Sequence, residues 1–150
     1  MIYFLGAIIL LGLDQVTKML AVSNLMNKGA VTFIEGFLGF RYTENTGAAF
    51  SILREKQLLL ILLTSVVIIA LVGFFVKALR TDTHIVVKLS YMLLLSGAIG
   101  NLIDRVRLNY VIDFLEFRFI QFPIFNVADM CVVVGVVLLA FSTLFLKYDF

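Results

Sequence analysis

Two carboxylates, Asp113 and Asp129, flank an aromatic connection in VIDFLEFRFIQFPIFNVAD, residues 111–129. Asp129 opens a long apolar run, and no basic residue stands beside either acid. A carboxylate kept at a membrane boundary without a dedicated counter-charge is costly and reads as functional. If the two groups meet, their like charges disfavour double ionisation, so the pair shares one proton at moderate pH. The ionised member then takes a proton from water while the protonated member gives one to a carbonyl oxygen, acid/base chemistry suited to cleaving a peptide bond without metal, serine or cysteine. The apolar neighbours of Asp113 dehydrate it and raise its pKa. Asp129 carries a second reading, because Asn126 at an N-cap with a carboxylate three residues on makes a capping pair. A helix this apolar hardly needs a cap to insert, which favours the catalytic reading. The two acids meet only if the segment between them folds back.

Other polar residues are spaced to frame such a pair. Asp14 and Lys18, at i and i+4, form an ion pair that lets their helix insert. A second role has Lys18 snorkelling to the rim of the site. In TENTGAAF, Asn45 begins a turn through Thr46 and Gly47. Its amide, both donor and acceptor, serves either an Asx turn or a substrate backbone. Asn101, Asp104 and Arg105 cluster within a turn, and Arg105, always charged, must find water, lipid phosphate or a carboxylate. It pairs with Asp104 or Asp113, or holds a substrate carbonyl. Ser96, Gly97, Ala98 and Gly100 give a small-residue surface for close approach of a helix or a substrate segment. Lone Cys131, in an apolar run, reads as a packing thiol, and lone His84 as a solvated residue of a connection. Neither a disulfide framework nor a zinc site is expected.

The elements that position these residues follow from composition. With 62% hydrophobic residues and a mean hydropathy of +1.08, the 150-residue chain reads as a single integral membrane domain, 1–150, without linker or low-complexity tail. The formal charge of +2 is scattered over connections, leaving no footprint for a nucleic-acid partner. Four stretches, about 2–22, 58–76, 85–103 and 127–146, are long enough to span a bilayer. The first lacks a basic n-region and carries Asp14 and Lys18, so it reads as a retained helix rather than a cleaved leader. The second is apolar all round, a wall without chemistry. Residues 31–34, a turn at Glu35 and Gly36, and 37–43 read as a hairpin whose aromatics rest at the headgroups. Four crossings place Asp14, Lys18, Asn45, Asn101, Asp104, Arg105, Asp113, Asn126 and Asp129 on one membrane side. Lys77, Arg80 and Lys88 assign the short opposite connection to the cytoplasm.

The blocks LDQVTK (13–18), ENTGAAF (44–50), GAIGNLIDR (97–105), VIDF (111–114) and FNVAD (125–129) resemble, in that order, those of the lipoprotein signal peptidase family, signal peptidase II. The resemblance implies an all-α membrane protein of four helices with a small β-cradle on the extracytoplasmic side. It implies a bacterial inner-membrane aspartyl protease, with Asp113 and Asp129 catalytic, that removes the signal peptide before a diacylglyceryl-modified cysteine of prolipoproteins. By the same resemblance Asn45, Asn101, Arg105 and Asn126 surround the site, Asp14 and Lys18 support it, and globomycin-type peptides inhibit. The expected partners are thus the lipidated substrate and membrane lipid, and no cofactor is called for. Three other readings remain on the residues alone, one of them a purely structural membrane partner, which leaves the clustering on one side unexplained. A small proton-coupled transporter or channel subunit needs polar groups near midplane and on both sides, which the second stretch lacks. A Ser/Lys peptidase would use Lys18 with Ser51.

Overall fold

Residues 1–47, 56–146 and Tyr148 are described by a computed structural model. Four helices, α1 (Ile2–Leu25), α2 (Gln57–Arg80), α3 (Ile85–Leu108) and α4 (Val127–Phe145), are each long and apolar enough to cross a bilayer. At 1.5 Å per residue, a helix of 24 residues reaches about 36 Å, enough for a hydrocarbon core of ~30 Å. Three of the helices run past the ends of their apolar stretches. In α3 the charges of Asp104, Arg105 and Arg107 end the apolar run without ending the helix. It continues until Asn109 turns left-handed (φ 63°) and returns its N–H to the Arg105 carbonyl at 3.0 Å. At the other end of α3, the His84 ring stays exposed but caps the helix, its Nδ1 accepting from the Val86 N–H at 3.2 Å.

Burial is inverted relative to a soluble bundle. Large apolar side chains on α1, α2 and α4 face outward, as at Leu58 and Ile69 of α2, where lipid rather than water is the expected neighbour. The most deeply packed helix is α3, and α2, the least buried, packs chiefly on it. Ala78 of α2 meets Val87, Tyr91 and Leu94 of α3 in one core cluster. The small residues of α3 serve helix packing. A Cβ on Gly97 would collide with the Ala128 carbonyl and come within 2.7 Å of Val132 Cγ2, and one on Gly100 within 2.6 Å of Asp14 Oδ2. Both glycines therefore set how close α4 and α1 lie to α3. Cys131 is buried, a free packing thiol.

At one end of the bundle lies a three-stranded antiparallel sheet in the order β1 (Val31–Ile34), β2 (Leu38–Asn45), β3 (Val111–Phe117). The expected hairpin forms, with Gly36 at φ 66° in its turn, and its second arm runs on to Asn45. The third strand is a departure from the sequence reading, which left 111–117 within a connection, although its β-branched and aromatic residues suit a strand. Thr43 pairs with Asp113 and Asn45 with Val111, beyond a bulge where Arg41 and Tyr42 of β2 face Phe114 alone. Bulges re-aim side chains. On the far edge of β3, Phe125 exchanges backbone bonds with Leu115 at 2.8 and 3.0 Å. The Phe117 ring, meanwhile, gathers Phe37, Phe119, Phe122 and Phe125 at 4.9 to 6.3 Å. These contacts fold 118–126 back along β3.

Replacing Gly97 by alanine should overpack the α3–α4 contact, at a cost of about 1–3 kcal/mol, read as a lower melting temperature in detergent. Gly73→Ala, with nothing within 4 Å of the added Cβ, should leave that temperature unchanged or raise it. Equal behaviour of the two variants would contradict the packing assignment.

Candidate active site

The fold-back delivers Asn126, the residue after Phe125, to the side of Asp113. Asn126 is fully buried, and its Nδ2 donates to Asp113 Oδ1 at 2.7 Å, to the Ile112 carbonyl at 3.2 Å and to Asn101 Oδ1 at 3.2 Å. Its Oδ1 accepts from the Asp129 N–H at 2.8 Å, and its own N–H donates to Asp129 Oδ2 at 3.2 Å. The capping box anticipated at α4 is thus complete. It occupies one carboxylate oxygen of Asp129. The other, Oδ1, accepts from Asn101 Nδ2 at 2.8 Å. Both carboxyl groups are therefore joined through Asn126, one by its side chain and one by its backbone.

Asn45 meets the pair from the sheet. The β2–β3 register lets its Nδ2 reach Asp113 Oδ2 at 2.9 Å while its Oδ1 accepts from the Gly47 N–H at 3.0 Å. The turn and the site contact are made together, by the two ends of one amide. Asp113 is 2% exposed. Burial, then the charge of Asp129, push its carboxyl up to about 7, against the lowering effect of the Asn45 and Asn126 hydrogen bonds and the Lys18 ammonium.

Lys18 does not reach the rim. It is 1% exposed, with its ammonium 3.0 Å from Asp14 Oδ2, 2.8 Å from Asp104 Oδ2 and 3.1 Å from Asn101 Oδ1. The long stem stays inside because two carboxylates there compensate its charge better than the boundary would. Asp14 Oδ1 takes the Ala128 N–H at 2.9 Å and Asp104 Oδ2 the Ile112 N–H at 3.2 Å. Among the described residues Arg105 forms no ion pair within 4.0 Å of an acid, so of the readings the sequence left open the link with Asp104 or Asp113 is not made. Its Nη2 instead donates to the Gly47 carbonyl at 2.9 Å and its Nη1 to the Asn101 carbonyl at 3.4 Å. The geometry thus assembles Asp113, Asp129, Asn45, Asn101 and Asn126 directly and sets Asp14, Lys18 and Asp104 one layer behind. Arg105 stands at the turn after Asn45. Ser51 and residues 48–50 lie outside the described residues.

Two residues escaped the sequence reading. Gln15 Nε2 donates to Asp14 Oδ2 at 3.1 Å, Asp104 Oδ1 at 3.2 Å and the Gly100 carbonyl at 3.4 Å. Its position beside Asp14 in an apolar helix was the available signal. Gln57, the first residue of the apolar wall, donates its Nε2 to the Thr46 carbonyl. No local pattern marked it. Among the described residues no three His, Cys, Asp or Glu side chains converge as a metal site.

The family model described as Signal peptidase (SPase) II matches residues 6–145. The chain belongs to the signal peptidase II family. It is 44% identical over 136 residues to the lipoprotein signal peptidase of Enterococcus faecalis, covering 91% of this chain and 83% of that one. To that of Clostridioides difficile it is 40% identical over 147 residues, covering 98% and 97%. Two solved bacterial membrane enzyme structures, each 34% identical, superimpose with TM-scores of 0.88 and 0.85. They cover 95% of this chain and 87% and 92% of theirs. Four membrane-spanning helices and a small sheet, the architecture expected from the sequence, thus describe a multi-pass member of the signal peptidase II family.

Two measurements test the electrostatics of this family member. Lys18→Met leaves Asp14 and Asp104 buried without their counter-charge and should cost about 3–5 kcal/mol, seen as a large drop in detergent melting temperature. A drop within error would mean the ion cluster is not formed. For Asp113, a folded-state pKa near 7 against an unfolded value of about 3.9 means that its neutral form stabilises the fold. That contribution is fully present below pH ~3.9 and is gone once the pH has passed about 7. The stability of Asp113→Asn relative to the unsubstituted protein should therefore rise between pH 4 and 7 and then level off. A flat difference would place the Asp113 pKa near its ordinary value.

Proposed function

We propose that the chain is an aspartyl endopeptidase, one membrane-embedded domain over residues 1–150, that removes the signal peptide from diacylglyceryl-modified bacterial prolipoproteins. The observation that carries this reading is the linkage of two carboxyl groups through Asn126 at the end of a membrane bundle, with burial and then the charge of Asp129 raising the pKa of Asp113. Membership of a family whose relatives are lipoprotein signal peptidases supports it.

In the reaction, the pair carries one proton. The ionised carboxylate takes a proton from a water held between the two groups as the water oxygen attacks the scissile carbonyl carbon. The other carboxyl gives its proton to the carbonyl oxygen. Collapse of the resulting gem-diol breaks the C–N bond, with a proton passing to the leaving amine. Asn45 and Asn126 orient Asp113, and Asn101 and the capping box orient Asp129, so little reorganisation accompanies the movement of charge. Lys18 has a structural part here, its Nζ committed to Asp14, Asp104 and Asn101. A lipid-anchored substrate fits the setting, since its acyl chains remain in the bilayer while the scissile bond lies at the headgroups. In this reading the site faces the extracytoplasmic side of the inner membrane, and globomycin-type peptides occupy it as inhibitors.

Asp113→Asn and Asp129→Asn should each lower turnover of a diacylated prolipoprotein in detergent micelles by at least ~10²-fold, with the protein still monodisperse on size exclusion. Full turnover by either folded variant would overturn the dyad.

A further inference from the structure

Buried polar atoms in folded proteins nearly always have partners, and each exception asks for an explanation. Among the described residues two buried side-chain atoms have none, Arg105 Nε and Gln57 Oε1. They are complementary, one a donor and the other an acceptor. They also hang from the same turn. Arg105 holds the Gly47 carbonyl through Nη2, and Gln57 holds the adjoining Thr46 carbonyl through Nε2. The Gln57 amide cannot be turned over to remove the mismatch, because that would set its oxygen against the Thr46 carbonyl oxygen. Its free acceptor is therefore fixed in place. The turn between them is the one whose Asn45 reaches Asp113.

An extended peptide offers what these atoms lack, one N–H and one C=O per residue. Two side-chain heads are held by adjoining carbonyls of the turn that carries Asn45, one with a free donor and the other with a free acceptor. Resting on the peptidase reading above, we infer that Gln57 is a substrate-binding residue, its Oε1 accepting a main-chain N–H of the substrate while Arg105 Nε donates to a main-chain carbonyl. Such contacts recognise backbone rather than side chains, so they tolerate varied signal-peptide sequences and fix only the extended conformation.

The test is a set of lipidated peptide substrates in which single amides flanking the scissile bond, but not that bond, are replaced by esters, each ester removing one N–H. With the unsubstituted enzyme, one position should raise KM about three- to tenfold, the worth of one hydrogen bond, with kcat little changed. Gln57→Met should raise KM for the all-amide substrate and abolish the penalty at that one position alone. A Gln57 that merely braces the turn would lower activity without removing the position-specific ester effect, and that additivity in Gln57→Met would overturn the inference. Should Gln57→Met fail to fold, the absence of any position-specific ester penalty in the unsubstituted enzyme would overturn it equally. Failure of the unsubstituted enzyme to cleave the all-amide substrate would instead sink the peptidase reading itself, so the two failures are distinguishable.

Discussion

The structure depends on one buried ammonium. Lys18 of α1 sits between Asp14 of its own helix and Asp104 of α3. The two acids in turn take the N–H groups of Ala128 at the start of α4 and of Ile112 on β3. Four elements are thereby tied to a single charge in a place where water cannot compete. Any one of the acids left alone there would be prohibitively costly, whereas a hydrogen-bonded cluster is tolerated. The glycines of α3 are part of the same arrangement. The Asp14 carboxylate can lie against the α3 backbone only because position 100 has no side chain to occupy that space.

The cluster also determines what remains for Asp113 and Asp129. Among the described residues, Asp14, Asp104, Asp113 and Asp129 lie together at this end of the bundle with the cations Lys18 and Arg105. Lys18 is committed to the first two acids, and Arg105 bonds to carbonyls instead of closing onto an acid. Asp113 and Asp129 are left with amides as neighbours: Asn45, Asn101 and Asn126. Amide donors orient a carboxylate without neutralising it. In that setting burial, then the charge of Asp129, displaces the Asp113 pKa upward.

Much of this was legible in the sequence because the relevant signals are local. Apolar run length gave four spans, the i, i+4 spacing gave the Asp14–Lys18 pair, and Asn126 three before Asp129 gave the capping box. The misreadings share a different cause. The third strand was hidden because its partner β2 lies far away in sequence, so only tertiary pairing marks 111–117 as a strand. Of the two readings of Lys18, the internal pair with Asp14 holds and the rim placement does not, because the sequence does not show that Asp104 arrives from another helix to hold the ammonium inside. The Arg105 link with Asp104 or Asp113, one of the readings left open, is not made for the same reason. Gln57, a polar residue at the mouth of an apolar stretch, acquires meaning only when the Thr46 carbonyl is seen beside it.

The capping box at α4 has a consequence for how this protein can change over evolutionary time. Asp113 lies within a strand whose backbone pairing does not need its carboxylate, whereas Asp129 also closes the first turn of its helix. A descendant that abandoned hydrolysis while keeping its architecture would therefore find position 113 the freer of the two to drift. Inactive lineages of this fold should then be betrayed by a missing strand acid long before the helix acid disappears.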